Sequence, residues 1–378
     1  MRIIKVEAIP VRCELSEPFG FAQGWYSKRE AVICQIITDE GLTGFGETFG
    51  PSAGQLDLLE KFFRPLLIGE NPMNIEFLWR KMYFAARRAF QSFIPMSVIG
   101  ALDMALWDIK GKVLEAPVFT LLGGPTRETV TAYVTGHYFL RRSIEDVIKN
   151  VTEEAQRHVS EGFQALKLKL GLKVLGGDIR DDVKLVNSVR KSVGPEITLM
   201  VDANYGYTVW EAIKVGKELD NLAVLWFEEP IDPFDFDGYC ILREKLNLML
   251  ATGECFAEYR QFDQIVDKRC IDVLQPDLSA SGGITQVKKI ADLALVNGLW
   301  FVPHVWGTGI SMAAALQVIG SHPGYSLLEF DRSPFPMREE FIKENIRRAG
   351  SEVVIPSSPG LGIKIEDGWL RKYKYEGR

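Results

Sequence analysis

The spacing of apolar and polar positions changes character twice along this chain. Over the first 48 residues the period is short: Ile3–Val11, Ala31–Thr38 and Leu42–Glu47 read as strands, and Asp39-Glu40-Gly41 is a hairpin turn signal. Residues 52–116 read as helices, with Val98, Leu102, Ala105, Leu106 and Ile109 recurring on one amphipathic face. Leu121-Leu-Gly-Gly-Pro125 then punctuates a boundary. From about 126 to 349, strand and helix patterns alternate, which predicts a parallel sheet closed as a barrel. The last stretch, with Pro356, Pro359, Gly360 and Gly362, predicts an extension returning to the first unit. The expected organisation is an α+β capping unit over 1–125, joined by 350–378, above a barrel of 126–349. Between the first two strands, Cys13–Glu30 carries Phe19, Phe21, Trp25 and Tyr26 in a segment too polar and glycine-containing for a helix. That is the composition of an aromatic loop, either a water-excluding lid or a packed surface loop.

Within the barrel pattern, acids recur with the strands. Asp202, Glu228 and Glu254 fall 26 residues apart and then 26 again, each closing a short apolar run. One strand and one helix consume about that length, so these acids occupy equivalent strand ends, which converge on the C-terminal rim of a barrel. Asp277 follows after 23 residues, His304 after 27 and Glu329 after 25. Upstream, Lys167 and Lys169 alternate with Leu166, Leu168 and Leu170, placing both lysines on one strand face. One polar group per strand on one rim predicts a site.

Three facing carboxylates repel one another unless a divalent cation holds them, and oxygen-only ligands suit Mg²⁺, with Mn²⁺ as the alternative. Such a cation polarises a substrate carboxylate, so that its α-proton becomes removable. Lys169 is the expected base, its pKa lowered by Lys167 and by the cation. Lys167 is expected to pair with the substrate carboxylate. Asp277 is placed to orient His304 as a second acid–base group, and a protonated Glu329 is expected to donate to the enediolate oxygen.

Composition narrows the partners. A chain of 378 residues that is 47% hydrophobic can bury a large core. A net charge of −6 provides no basic footprint for nucleic acid or an anionic membrane. Five cysteines without CxxC spacing fit a reduced compartment. The chain opens with no leader pattern and contains no long apolar run, so a cytoplasmic location and no membrane span are expected.

Lys167-Leu-Lys169, Val201-Asp-Ala-Asn204, Trp226-Phe-Glu-Glu-Pro230, Gly253-Glu254, Gln275-Pro-Asp277 and Pro303-His304 together resemble the mandelate racemase subgroup of the enolase superfamily. The resemblance implies an α/β fold, a modified (β/α)8 TIM-like barrel of (β/α)7β form with an α+β capping domain. It implies Mg²⁺ on Asp202, Glu228 and Glu254, with Lys169 and the His304–Asp277 dyad as bases on opposite substrate faces. Lys167, Asn204 and Glu329 then contact the carboxylate and its enediolate. A homo-oligomer, dimer or octamer, is implied too. Ala105–Lys112, Val302–Gly309, Glu329–Arg332 and Pro359–Ile363 resemble most the subgroup's lactone cycloisomerases of the galactarolactone type, which give a 3-deoxy-2-keto acid.

The leading expectation is therefore α-proton abstraction followed by β-elimination on a sugar acid or its lactone, by a cycloisomerase or an acid-sugar dehydratase. A racemase or epimerase of a 2-hydroxy acid such as mandelate is the alternative, and a non-catalytic metal-binding protein a remote one. Trp25, His137, Tyr138, Arg141 and Arg142 are the expected contacts to the distal part of the substrate. No glycine-rich phosphate loop accompanies the last strands, which disfavours a phosphate-binding barrel.

Overall fold

The first hairpin runs further than the apolar pattern predicts, through a stretch of alternating charges. In the computed structural model, which describes residues 1–376, β1 (Ile3–Phe21) runs antiparallel to β2 (Gly24–Thr38). Arg12 stands opposite Glu30 and Glu14 opposite Lys28, and the ion pairs run along each strand, Arg12–Glu14 at 3.3 Å and Lys28–Glu30 at 2.7 Å, where apolar alternation has ended. Beyond a register shift, Phe19 faces Tyr26 and Gly20 faces Trp25. The segment read as an aromatic loop is thus a β-ribbon with its turn at Ala22-Gln23. Gly41, at φ 81, makes the predicted turn into β3 (Thr43–Glu47).

The helix Met96–Val113 packs directly on β3. A Cβ at Gly46 would lie 2.0 Å from the Ala101 carbonyl oxygen, so only glycine allows this approach. Three buried acids then fasten this unit to the rest of the chain. Asp103 accepts from Thr285 N at 2.9 Å and Thr285 Oγ1 at 2.6 Å. Asp108 accepts from Leu361 N at 2.9 Å. Glu47 accepts from Thr308 N at 2.7 Å, from Ser311 N at 2.9 Å and from the Thr308 hydroxyl, at the first turn of the helix Gly309–Ser321.

Eight parallel strands form the barrel: β4 (Thr129–Thr135), β5 (Ala165–Lys169), β6 (Thr198–Asp202), β7 (Val224–Glu228), β8 (Met249–Thr252), β9 (Val273–Leu274), β10 (Trp300–Phe301) and β11 (Leu328–Asp331). The strands β4 to β10 pair in sequence order, and β11 returns to pair in parallel with β4. A helix connects each strand to the next, giving the (β/α)7β form. Tyr133, Met200, Trp226, Ala251, Val273 and Val302 fill the interior, so the barrel is a packed core and not a channel. A short hairpin of β12 (Arg348–Ala349) and β13 (Glu352–Val354) adds antiparallel to β4, and the chain then runs back to β1, where Tyr375 N donates to Pro10 O at 3.1 Å. Among the described residues no helix is long and apolar enough to cross a membrane.

Candidate active site

Barrel geometry brings the strand-end residues together. Lys167 and Lys169 leave the same face of β5, Asp202 closes β6 and Glu228 closes β7. Glu254 stands two residues beyond β8, after Gly253, whose φ of 134 lies outside ordinary L-residue conformations. Asp277 and His304 follow β9 and β10 and face each other across a single parallel bridge. Glu329 lies within β11.

Asp202, Glu228 and Glu254 each present an oxygen within 4.8 Å of the other two. Glu254 Oε2 is buried and has no hydrogen-bond partner. Burial, with the Asp202, Glu254 and Glu329 charges beside it, pushes the Glu228 carboxyl up to about 8 despite the Lys167 ammonium. A crowded, partly unpartnered set of hard oxygens fits Mg²⁺ or Mn²⁺.

The lysines depart from expectation. Lys167 is fully buried, with Nζ 2.5 Å from Glu228 Oε1 and 2.8 Å from Glu329 Oε1. It is not among the residues lining the pocket, and its ammonium neutralises the carboxylates of the floor. Lys169 Nζ donates to Asp202 Oδ2 at 2.5 Å and to Asn204 Oδ1 at 2.9 Å. Burial disfavours its ammonium, but the Asp202 charge outweighs both burial and Lys167, and its pKa is raised. The expected lowering by Lys167 is therefore corrected for the protein's own charges: the acids around Lys169 dominate. Asn204, held at φ 40, also donates from Nδ2 to Glu254 Oε1 at 3.1 Å, bridging Lys169 to a carboxylate.

Glu329 is corrected as well. Burial favours its neutral form, yet Lys167 and His304 hold its pKa below the ordinary value, and its Oε2 accepts from Val305 N at 2.8 Å. In this arrangement its oxygens face the donors Val305 N and Lys167 Nζ, where a protonated donor was expected. His304 Nδ1 donates to Asp277 Oδ2 at 2.7 Å, leaving Nε2 toward the pocket, 3.5 Å from Glu254 Oε2. Burial opposes the imidazolium, but Glu254, Glu329 and Asp277 raise its pKa to about 10.

These groups open onto a pocket of about 260 Å³ with Lys169, Asn204, Glu254 and His304 on the barrel side. Phe21, Tyr26, Phe49, Tyr138 and Trp306 supply its aromatic lining, with the Tyr138 ring centre 5.3 Å from the Lys169 ammonium. The ribbon tip is docked over it: Gly20 and Phe139 exchange backbone hydrogen bonds of 2.7 and 2.9 Å, and Gln23 Nε2 donates to Asn204 O at 2.8 Å.

Of the expected distal contacts only Tyr138 lines this pocket. Trp25 lies under the Arg141 guanidinium, 4.7 Å from its ring centre, and Arg142 pairs with Glu17. His137 is fully buried and points away: Nδ1–H donates to Lys167 O at 3.0 Å, and Nε2 meets His158 Nδ1 at 3.2 Å. It borders a separate cavity. The reason is the backbone turn at His137, whose φ of 54 reverses the side-chain direction after β4. Phe49 and Trp306 were not among the expected contacts. Trp306 had a signal, since it stands two residues after His304 on the same rim; Phe49, two residues past β3, had none.

The geometry agrees with the comparisons. Residues 3–123 match the family described as mandelate racemase / muconate lactonizing enzyme, N-terminal domain, and residues 150–369 match the family described as enolase C-terminal domain-like. The chain belongs to the mandelate racemase/muconate lactonizing enzyme family. It is 36% identical over 382 residues to D-galactarolactone cycloisomerase of Agrobacterium fabrum, covering 99% of each chain. The 3,6-anhydro-D-galactonate cycloisomerase of Zobellia galactanivorans superposes with a TM-score of 0.89 at 34% identity, covering 100% of both chains. A racemase of Streptomyces coelicolor with bound magnesium superposes with a TM-score of 0.88 at 26% identity, covering 99% of this chain and 100% of that one. The chain is thus an enzyme of the enolase superfamily, related to isomerases and lyases of acid sugars.

Proposed function

We propose that the protein abstracts the α-proton of a sugar-acid carboxylate and then expels a β-oxygen, as lactone carboxylate or as hydroxide, to give a 3-deoxy-2-keto acid. The observation that carries this reading is the pair of proton-transfer groups lining one pocket: Lys169 from the second barrel strand and His304 beyond the seventh. They reach the substrate from different sides. Asp202, Glu228 and Glu254 would hold Mg²⁺, which supplies positive charge where enediolate charge develops.

One of Lys169 and His304 takes the α-proton, according to the configuration of the substrate, and the other protonates the departing oxygen. Lys169 serves as a base once the Asp202 charge is engaged elsewhere, since that charge is what holds its proton. His304, whose Nδ1 is held by Asp277, is suited to donate from Nε2. Glu329 accepts from Val305 N, which keeps the loop after His304 in place.

A racemase of a 2-hydroxy acid uses the same two groups and no leaving group, and the likeness to the magnesium-bound racemase supports it as the second reading. The deciding experiment is turnover in D₂O with Mg²⁺ over a panel of sugar acids and their lactones, followed by NMR. Elimination yields a keto acid with deuterium at C3. Recovery of only the C2-inverted acid would establish the racemase reading instead.

A further inference from the structure

We infer that the substrate carries a single carboxylate, and that the rest of the molecule is uncharged and presents a C–H face to an aromatic wall. Resting on the functional reading above, this selects aldonates, anhydroaldonates and aldarate monolactones over open sugar diacids.

The lining of the pocket is of two kinds. The ionisable groups that handle a carboxylate are Lys169, Glu254 and His304. Beside them runs a chain of contacting aromatic rings. Phe21 stacks on Tyr26 with ring centres 5.3 Å apart, Tyr26 meets Trp306 at 4.7 Å, and Trp306 meets Phe49 at 6.3 Å. Phe49 in turn lies edge-on to His304 at 5.8 Å, so this surface runs up to the reacting groups. Aromatic faces carry negative charge density; they attract the weakly positive C–H groups of a sugar and repel a carboxylate.

The cation behind this wall is not available to offset that repulsion. Arg29 is 2% exposed, and its guanidinium lies 3.6 Å from the Trp306 ring centre and 4.1 Å from that of Phe335. Its hydrogen bonds go to Trp306 O at 2.6 Å and Ser333 Oγ at 2.8 Å, and its charge faces Asp331 at 3.5 Å. The polar groups this wall does offer are neutral. Tyr26 and Tyr138 carry phenols whose ionisation is suppressed by burial. The Trp306 indole N–H is buried within the wall and is not presented to the pocket. A second carboxylate at the far end of a substrate would therefore lose water and gain no countercharge, which is costly in a closed site.

The test is a calorimetric comparison of matched acids with the Mg²⁺-loaded enzyme. Each aldonate is paired with the aldarate of the same configuration, so that only CH₂OH and carboxylate differ, and the aldarate monolactones are added. The best-binding aldonate or monolactone should bind at least about 30-fold tighter than its open diacid, the scale of an unpaired buried charge costing a few kcal/mol. Phe21→Arg, which places a cation in the wall, should narrow or invert that ratio, with its melting temperature recorded to show that it folds. Equal or tighter binding of the diacids by the wild type, or binding of neither class, overturns the inference. Keto acid formation is assayed in parallel. Monoacids that bind preferentially and give no keto acid refute the elimination reading while leaving the preference standing.

Discussion

Asp277→Asn changes the charge at the His304 dyad with almost no change of shape. In the native protein Asp277 Oδ2 lies 2.7 Å from His304 Nδ1, and both residues are buried. The other oxygen accepts from Ser279 N at 2.7 Å and Ala280 N at 3.1 Å, so the group is fixed and little can move to compensate. A buried hydrogen bond to a charged group contributes about 1.5–3 kcal/mol, and one pKa unit corresponds to about 1.4 kcal/mol. The variant should therefore lower the His304 pKa by roughly one to two units. Glu254 and Glu329 still raise it, so it stays above the ordinary imidazole value of 6.5. The sign for stability follows. Because the folded pKa is raised, the imidazolium contributes stability that is complete below about pH 6.5 and is lost as pH rises through about 10. In the variant that loss comes one to two units earlier by the same reckoning. With four histidines in the chain, the His304 resonances can be followed by NMR in chelator-treated protein. Turnover should fall by about 10²–10⁴, the scale of a general acid or base. If His304→Asn abolished activity while Asp277→Asn titrated and turned over like the wild type, the dyad would be refuted.

Three further outcomes are expected. Chelation of divalent ions should abolish turnover and Mg²⁺ should restore it; full activity in chelated enzyme would show that Asp202, Glu228 and Glu254 hold no essential cation. Lys169→Ala should lose at least about two orders of magnitude in kcat, whereas a loss confined to KM would make Lys169 a binding group only. Glu47→Ala strips the Thr308 and Ser311 amides of their acceptor and should cost about 3 kcal/mol in denaturant unfolding. The Glu47 carboxyl is pushed up to about 7 by burial, so its contribution is fullest below about pH 4.5 and is lost as pH rises through 7; Glu47→Gln should flatten that slope.

What the sequence made legible followed from period and spacing. The 26-residue interval between Asp202, Glu228 and Glu254 reports the length of a βα unit, and the barrel converts it into proximity. Alternation around Lys167 and Lys169 likewise reported a shared strand face. What could not be read was direction and depth. One turn of backbone at His137 sends its ring away from the pocket, and left-handed conformations at a non-glycine residue leave no mark in composition. The ribbon was hidden because its outer half carries charged residues such as Arg12, Glu14, Lys28 and Glu30, which a search for apolar alternation passes over. The sign of the Lys169 shift was hidden for a related reason: it depends on Asp202 Oδ2 lying 2.5 Å from its Nζ, as the surroundings of Lys167 depend on oxygens from three other strands, at distances that spacing alone does not supply.

Those oxygens give Lys167 a role that can be separated from substrate binding. Its ammonium meets Glu228 at 2.5 Å and Glu329 at 2.8 Å, with Asp202 at 3.8 Å, so one buried charge ties β5 to β6, β7 and β11 below the pocket. Lys167→Met keeps the length and apolar stem of the side chain and removes only that charge. Breaking a buried ion pair from one side costs about 3–5 kcal/mol, because the remaining carboxylates lose their compensation. The variant should therefore unfold at distinctly lower denaturant concentration in chelated protein, and Mg²⁺, by drawing on Asp202 and Glu228, should return part of the loss. A residue whose task was to hold the substrate carboxylate would behave oppositely, raising KM with the unfolding midpoint unchanged. That pattern would return Lys167 to the pocket and would mean that the ion pairs of the floor rearrange when substrate enters.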